Sequence, residues 1–272
     1  MKRTSFLMAG TLLPFTGGVT RAVEQSMPDA LLHWAHLLVV EVPADRNKYG
    51  SHPTYVEWND AGTGSGARNR SVCSSFVNHL LEHSFGYSAA DIDAWFAKRV
   101  PQAVEYHDTI AAGRGFTLVT RIVDIRPGDI IAVAYPPGSK PTGHVMIAAT
   151  RAVARAATRP VEPDTAQYEI GVIDSANSGH GRADSRLRAD GTWTTGVGRG
   201  TLRLYGRSDG TIAGYCWSTS SHSAFRAADV RRPVVGRLDA GLVPKPSGAA
   251  GTTTPGDDSG DNSDDVSVSD PD

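Results

Sequence analysis

The chain has 272 residues, 40% of them hydrophobic and 21% charged, which fits one globular domain with a core of its own and extra segments at its ends. Its formal charge of −2 rests on seven aspartates between Asp257 and Asp272; without that stretch the charge is +5, a mildly basic body suited to an anionic polymer such as a cell wall. The arginines are scattered and not interleaved with aromatic residues, which argues against nucleic acid as a partner, and two cysteines exclude a disulfide framework.

Residues 1–22 read as a secretory signal peptide: Lys2 and Arg3 precede an apolar run from Phe6 to Phe15, then small residues lead to a cut after Ala22. The run is too short to span a bilayer and nothing later replaces it, so an exported, periplasmic or secreted protein without stable membrane insertion is expected. Helical spacing follows in "MPDALLHWAHLLVVEV", with Asp29 as its cap. A stronger helix lies in "SVCSSFVNHLLEHSFG", where Val72, Phe76, Val77, Leu80 and Leu81 share a face, Asn69 or Ser71 caps the start and Gly86 follows the end. The stretch from about 88 to 113 is a helical insertion whose Trp95, Phe96 and Tyr106 fit either a cover for a cleft or the core. From residue 116 the period changes to two or to short apolar runs, "FTLVTRIV", "DIIAVAY", "HVMIAAT", "YEIGVID", "GTLRLYG" and "TIAGYCWS". Helices followed by sequential strands predict an α+β protein with an antiparallel sheet. Residues 23–243 form this single domain, and 244–272, poor in large apolar residues, form a disordered acidic tail.

Two chemistries compete within the second helix. At about 100° per residue, Cys73 falls on the apolar stripe, His79 and His83 at its edge, and Glu82 away from it. His79-x-x-Glu82-His83 is the spacing of an inverted zincin, which keeps a zinc metallohydrolase as an alternative. Cys73 opens the helix, where free amides and the helix dipole favour a thiolate, and Arg68 and Arg70 push the same way. An inward cysteine also fits a core residue, or half of a bridge to Cys216 in a non-catalytic exported binding protein. Further along, His144 opens a strand after Gly143, and Asp174 ends the next. Cysteine, histidine and carboxylate in that order are the nucleophile, base and orienter of acyl transfer, with Ser175 and Asn177 as substitutes for the third.

"SVCSSFV", "RPGDIIAV", "TGHVMIAA" and "YEIGVIDS" together resemble the motif series of the NlpC-type papain-like cysteine peptidases, over roughly residues 45 to 220. That resemblance implies a papain-like fold with N-terminal helices packed on a mainly antiparallel sheet of about five or six strands. It also implies a monomeric hydrolase that cleaves a peptide or amide bond in peptidoglycan stems without a cofactor or metal. Cys73 becomes the nucleophile, His144 the general base and Asp174 the orienter; Tyr55 or Tyr49 would complete the oxyanion site, with Ser74 on the substrate side. The sequence departs from the family pattern at Val72, where Asp is usual, and at Ser75, where Gly is usual.

Overall fold

The computed structural model describes residues 25–59 and 66–249. The expected signal peptide and the acidic tail from residue 250 onward lie outside the described residues. In chain order the elements are α1 (Met27–Glu41), β1 (Asn47–Tyr49), β2 (Tyr55–Glu57), β3 (Arg68–Ser71), α2 (Cys73–Phe85), α3 (Ala89–Phe96) and α4 (Ala103–Ala111). Then come β4 (Phe116–Leu118), β5 (Ile130–Ala134), β6 (Gly143–Ala148), β7 (Val153–Ala154), β8 (Ala166–Ala176), β9 (Gly196–Gly206), β10 (Ile212–Cys216), β11 (Phe225–Ala227) and β12 (Arg232–Leu238). Among the described residues no helix is long and apolar enough to cross a membrane.

This architecture overturns the expected papain-like arrangement of N-terminal helices on a five- or six-stranded sheet. The protein is mostly β, with a nine-stranded antiparallel sheet in the order β11-β10-β9-β8-β6-β5-β12-β4, β7 pairing with β8 off that path. Two causes enlarge the sheet. First, β8 and β9 each run for 11 residues and pair along their whole length, a hairpin far longer than the apolar run "YEIGVID" indicates. Second, β12, in "RPVVGRL", returns from the end of the domain to lie between β5 and β4. A proline and a glycine interrupt its apolar period, so only its partners identify it. A second, three-stranded sheet, β1-β3-β2, precedes α2.

The central strands explain their own sequences. Every residue of β5 and β6 is buried, because apolar clusters cover both faces, so these strands read as unbroken apolar runs rather than alternations. One cluster joins Ile130, Ala132, Val145 and Ile147 to Leu31, Leu38, Phe76, Leu80 and Tyr106 of the helices. The other joins Ile131, Val133 and Met146 to Leu202, Leu204, Tyr215 and Val235, where the sheet curls and β10 approaches β12. Trp95, Phe96 and Tyr106 of the helical stretch belong to the first cluster, and the Tyr106 hydroxyl donates to Asn78 of α2 at 2.6 Å. They are core residues, not a cover over a cleft.

A buried polar ladder fixes where α2 begins. Asn47 donates to the Val197 carbonyl and accepts its N–H, at 2.7 and 2.8 Å; Asn69 donates to Asn47; Ser71 donates to Asn69. Ser175 then donates to the Ser71 carbonyl at 2.8 Å. The small sheet is thereby held on β8 and β9, and α2 departs from the end of β3 directly over them.

Candidate active site

The cap of α2 is neither Asn69 nor Ser71, both of which belong to β3. It is Val72, whose N–H donates to the Ser75 hydroxyl at 3.0 Å while Thr54 donates to the same oxygen at 3.2 Å. The side chain three positions into the helix thus reaches back to the cap, which makes Cys73 the first helical residue. Its side chain is 6% exposed and faces β6.

The thiol meets two groups there. Burial pushes it up, but the His144 charge, a hydrogen bond from His144 and the Val145 backbone N–H outweigh burial and hold it below its ordinary 9.0. Burial works against the His144 cation too, and Cys73 and Asp174 overcome it, raising the imidazole to about 10. The His144 Nε2 donates to Asp174 Oδ2 at 2.6 Å, which leaves Nδ1 for the sulfur. Both shifts favour one state: thiolate and imidazolium. Cys216, by contrast, sits in β10 beside the Tyr205 hydroxyl at 3.4 Å; both cysteines are free, and no bridge joins them.

Asp174 carries more than His144. It is fully buried, and its carboxyl is held well below the usual range: burial opposes the charge, but His180, Arg186 and His144 overcome it. The His180 Nε2 donates to Oδ2 at 3.0 Å and Arg186 donates to Oδ1 at 2.9 Å. The other His180 nitrogen lies 2.8 Å from the Trp217 carbonyl, so each ring nitrogen faces an oxygen. Asp184 completes the network, accepting from Arg186 Nε and from the His180 N–H at 2.9 and 2.7 Å. Trp217 packs against both imidazoles, its ring 4.8 Å from that of His144 and 4.3 Å from that of His180.

His180, Asp184 and Arg186 lie between β8 and β9 and were not singled out in the sequence. Their signal is in the opposite strand, in "GVGRG". Gly198 stands across from Asp174, and a Cβ on it would press into the Arg186 side chain; one on Gly200 would meet Asp184 and His180. Glycines at alternate positions clear one face of β9 for a buried charged cluster, a close approach that any side chain would block.

The remaining candidates separate cleanly. Tyr49 lines a cleft of about 260 Å³ together with His144, Asn177, Trp217, Arg226 and Arg231. Burial, then the nearby Cys73 and Asp174 charges, push its hydroxyl up to about 12. Tyr55 lies elsewhere, under the Arg68 guanidinium, in a separate depression with Asp45, Arg46 and Lys48. Ser74 is buried on α2. Ser175 bonds to Ser71, so Asp174 rather than Ser175 meets the imidazole. On the far flank of α2, His79 pairs with Glu82 at 2.8 Å, and the His83 ring stacks on Trp58 at 3.9 Å with Trp34 edge-on. Among the described residues no three His, Cys, Asp or Glu side chains converge as a metal set would.

No family model matches the chain, and neither does any solved structure. It is 36% identical over 222 residues to "Uncharacterized protein R653" of Acanthamoeba polyphaga mimivirus, an alignment that covers 76% of this chain and 96% of that relative. The chain belongs to the family of that viral protein.

Proposed function

We propose that the protein is a cysteine hydrolase of peptide or amide bonds, with Cys73 as nucleophile, His144 as general base and acid, and Asp174 as the group that orients the imidazole. The observation that carries this reading is the continuous array from a thiol at a helix start, through an imidazole, to a buried carboxylate. In the first half-reaction the Cys73 sulfur bonds to the acyl carbon. The C–N bond then breaks, and His144 passes its proton to the leaving amine. In the second, His144 takes a proton from water, the C–S bond breaks and the acid leaves. The developing oxyanion finds the backbone N–H of Cys73, at the unsatisfied first turn of α2. Tyr49 supplies a second donor, since a hydroxyl raised to about 12 keeps its proton. The motif resemblance makes peptidoglycan stem peptides the first substrate class to try, and the mildly basic body ahead of the acidic tail, with the expected signal peptide, is consistent with an exported enzyme acting on a wall.

The test is iodoacetamide labelling of the folded protein from about pH 4 to 9, with the modified cysteine mapped. Rapid labelling of Cys73 well below the ordinary thiol value, absent in Cys73→Ser, is the expected result. A Cys73 that reacts only near its ordinary value, or not at all, would end the proposal. With wall fragments as substrate, Cys73→Ser abolishes turnover while the variant still unfolds in one cooperative transition.

A further inference from the structure

One wall of the cleft in front of His144 is cationic without any anion of its own. Arg226 on β11 and Arg231 just before β12 line it, together with Tyr135 and Tyr215. Arg68, Arg186 and Arg237 each face a carboxylate, but among the described residues neither Arg226 nor Arg231 forms an ion pair. Arg231 lies over the Tyr135 ring instead, its guanidinium carbon 4.1 Å from the centroid, which fixes the fork in place. A second observation points the same way. Tyr215 is 2% exposed, and its hydroxyl lies shut from solvent beside Arg231 and Tyr135, so it backs the guanidinium from the protein side and leaves the cleft side of Arg231 for a ligand.

Two guanidinium groups on one side of a small cleft suit a planar oxyanion held by charge-assisted hydrogen bonds. We infer that this wall is a subsite for a carboxylate of the substrate, so that the preferred acyl donors or leaving groups are acids rather than neutral amides. The inference rests on the reading of Cys73 as the nucleophile. It adds that the scissile bond lies within a few atoms of a free carboxylate, since about 260 Å³ leaves room for little more beside the imidazole.

Iodoacetate and iodoacetamide attack the same sulfur, forming the same C–S bond and expelling the same iodide, and differ in one charge. The His144 charge beside the sulfur also favours the anionic reagent, so the subsite is read from the change in the iodoacetate-to-iodoacetamide rate ratio when the arginines are removed, while the iodoacetamide rate reads the nucleophile. We expect the ratio at Cys73 to exceed that of free cysteine and to fall by about tenfold in Arg226→Gln/Arg231→Gln, in line with hydrogen bonds to a charged group. It should fall partway in Arg231→Lys, and fall in the unaltered protein at about 1 M salt. The salt arm needs no variant and so stands if a variant misfolds. Rapid iodoacetamide labelling with a ratio that removing the arginines leaves unchanged would overturn the subsite and leave the nucleophile standing. Slow iodoacetamide labelling would remove the nucleophile and the subsite with it. Inorganic phosphate protecting Cys73 from iodoacetate better than acetate does would reassign the wall to phosphoryl groups and overturn the carboxylate.

Discussion

The two cysteines are nearly equal in burial and unlike in everything else. Cys73 is 6% exposed and Cys216 fully buried, and both are free. Cys73 opens a helix, against a strand that presents an imidazole and a backbone N–H. Cys216 ends a strand in the interior, with a tyrosine hydroxyl as neighbour. Burial alone disfavours a thiolate at either place. What separates them is that the environment of Cys73 brings compensating charge, itself anchored two shells deep: Asp174 behind His144, then His180 and Arg186 behind Asp174. A reactive thiol in this fold is a property of the hairpin β8–β9 as much as of α2.

The widest way to break that contrast is Asp174→Asn. It removes a buried charge that two imidazoles and a guanidinium share, and leaves Arg186 with Asp184 as its sole carboxylate and the His180 ring with none. Breaking a buried pair of this kind costs about 3–5 kcal/mol, so the unfolding free energy from denaturant titration should drop by that much. The Cys73 labelling profile should move toward the ordinary thiol range in the same variant, while Cys216 stays unlabelled until unfolding. A variant as stable as the parent would show that the network is not charged as the geometry requires.

Several single strands and the three residues proposed for acyl transfer stand out in the chain because they sit in strong local patterns, Cys73 on the stripe of α2, His144 near the start of β6 and Asp174 near the end of β8, whereas the nine-stranded sheet did not. The rest depended on long-range partners. "FTLVTRIV" reads as one strand, yet only Phe116–Leu118 pairs, and Ile122–Asp124 turns into a 3-10 helix. Strand β12 shows no clean period and exists because β5 and β4 flank it. Tyr49 and Tyr55 are six residues apart in one polar stretch and could be told apart only once β1 and β2 were placed on opposite sides of β3. His180, Asp184 and Arg186 look like polar loop residues until Gly198 and Gly200 show the space reserved for them.

A finer contrast comes from pH. His144, raised from 6.5 to about 10, contributes stability that is fully present below 6.5 and lost as pH rises through about 10. Cys73, lowered from 9.0, contributes stability that is fully present above 9.0 and lost as pH falls through its folded value. Wherever the folded thiol is ionised within the range from about 6.5 to 9.0, the two slopes cancel, since the proton that leaves the thiol on folding is taken up by the imidazole. The denaturant midpoint should therefore be flat over that stretch and fall on the alkaline side between 9.0 and about 10. Asp174, lowered well below 3.8, adds a further acid loss below that value. Cys73→Ser should remove the thiol's share of this profile, whereas Cys216→Ser should keep the flat stretch. Identical profiles for the two variants would mean that no proton moves from sulfur to imidazole on folding.

The smallest expected effect is at Ser75, the residue that stands where glycine is usual in the motif the sequence resembles. Its hydroxyl accepts the Val72 N–H at 3.0 Å and the Thr54 hydroxyl hydrogen at 3.2 Å, so it satisfies the cap of the turn that carries Cys73. Ser75→Ala raises the helix propensity slightly but removes that acceptor and the hydroxyl's own bond to the Val72 carbonyl at 3.2 Å, which should lower stability by about 1 kcal/mol. The variant separates position from charge. If the first turn of α2 matters by holding the sulfur against His144, labelling of Cys73 at pH 6 should slow by a few-fold along with the stability loss, because a frayed turn spends time away from the imidazole. If stability falls and labelling does not, the strand side, through Val145 and His144, holds the thiolate without help from the cap. Cys216, on a strand with no such turn, supplies the baseline for either outcome: its reactivity should follow global unfolding alone.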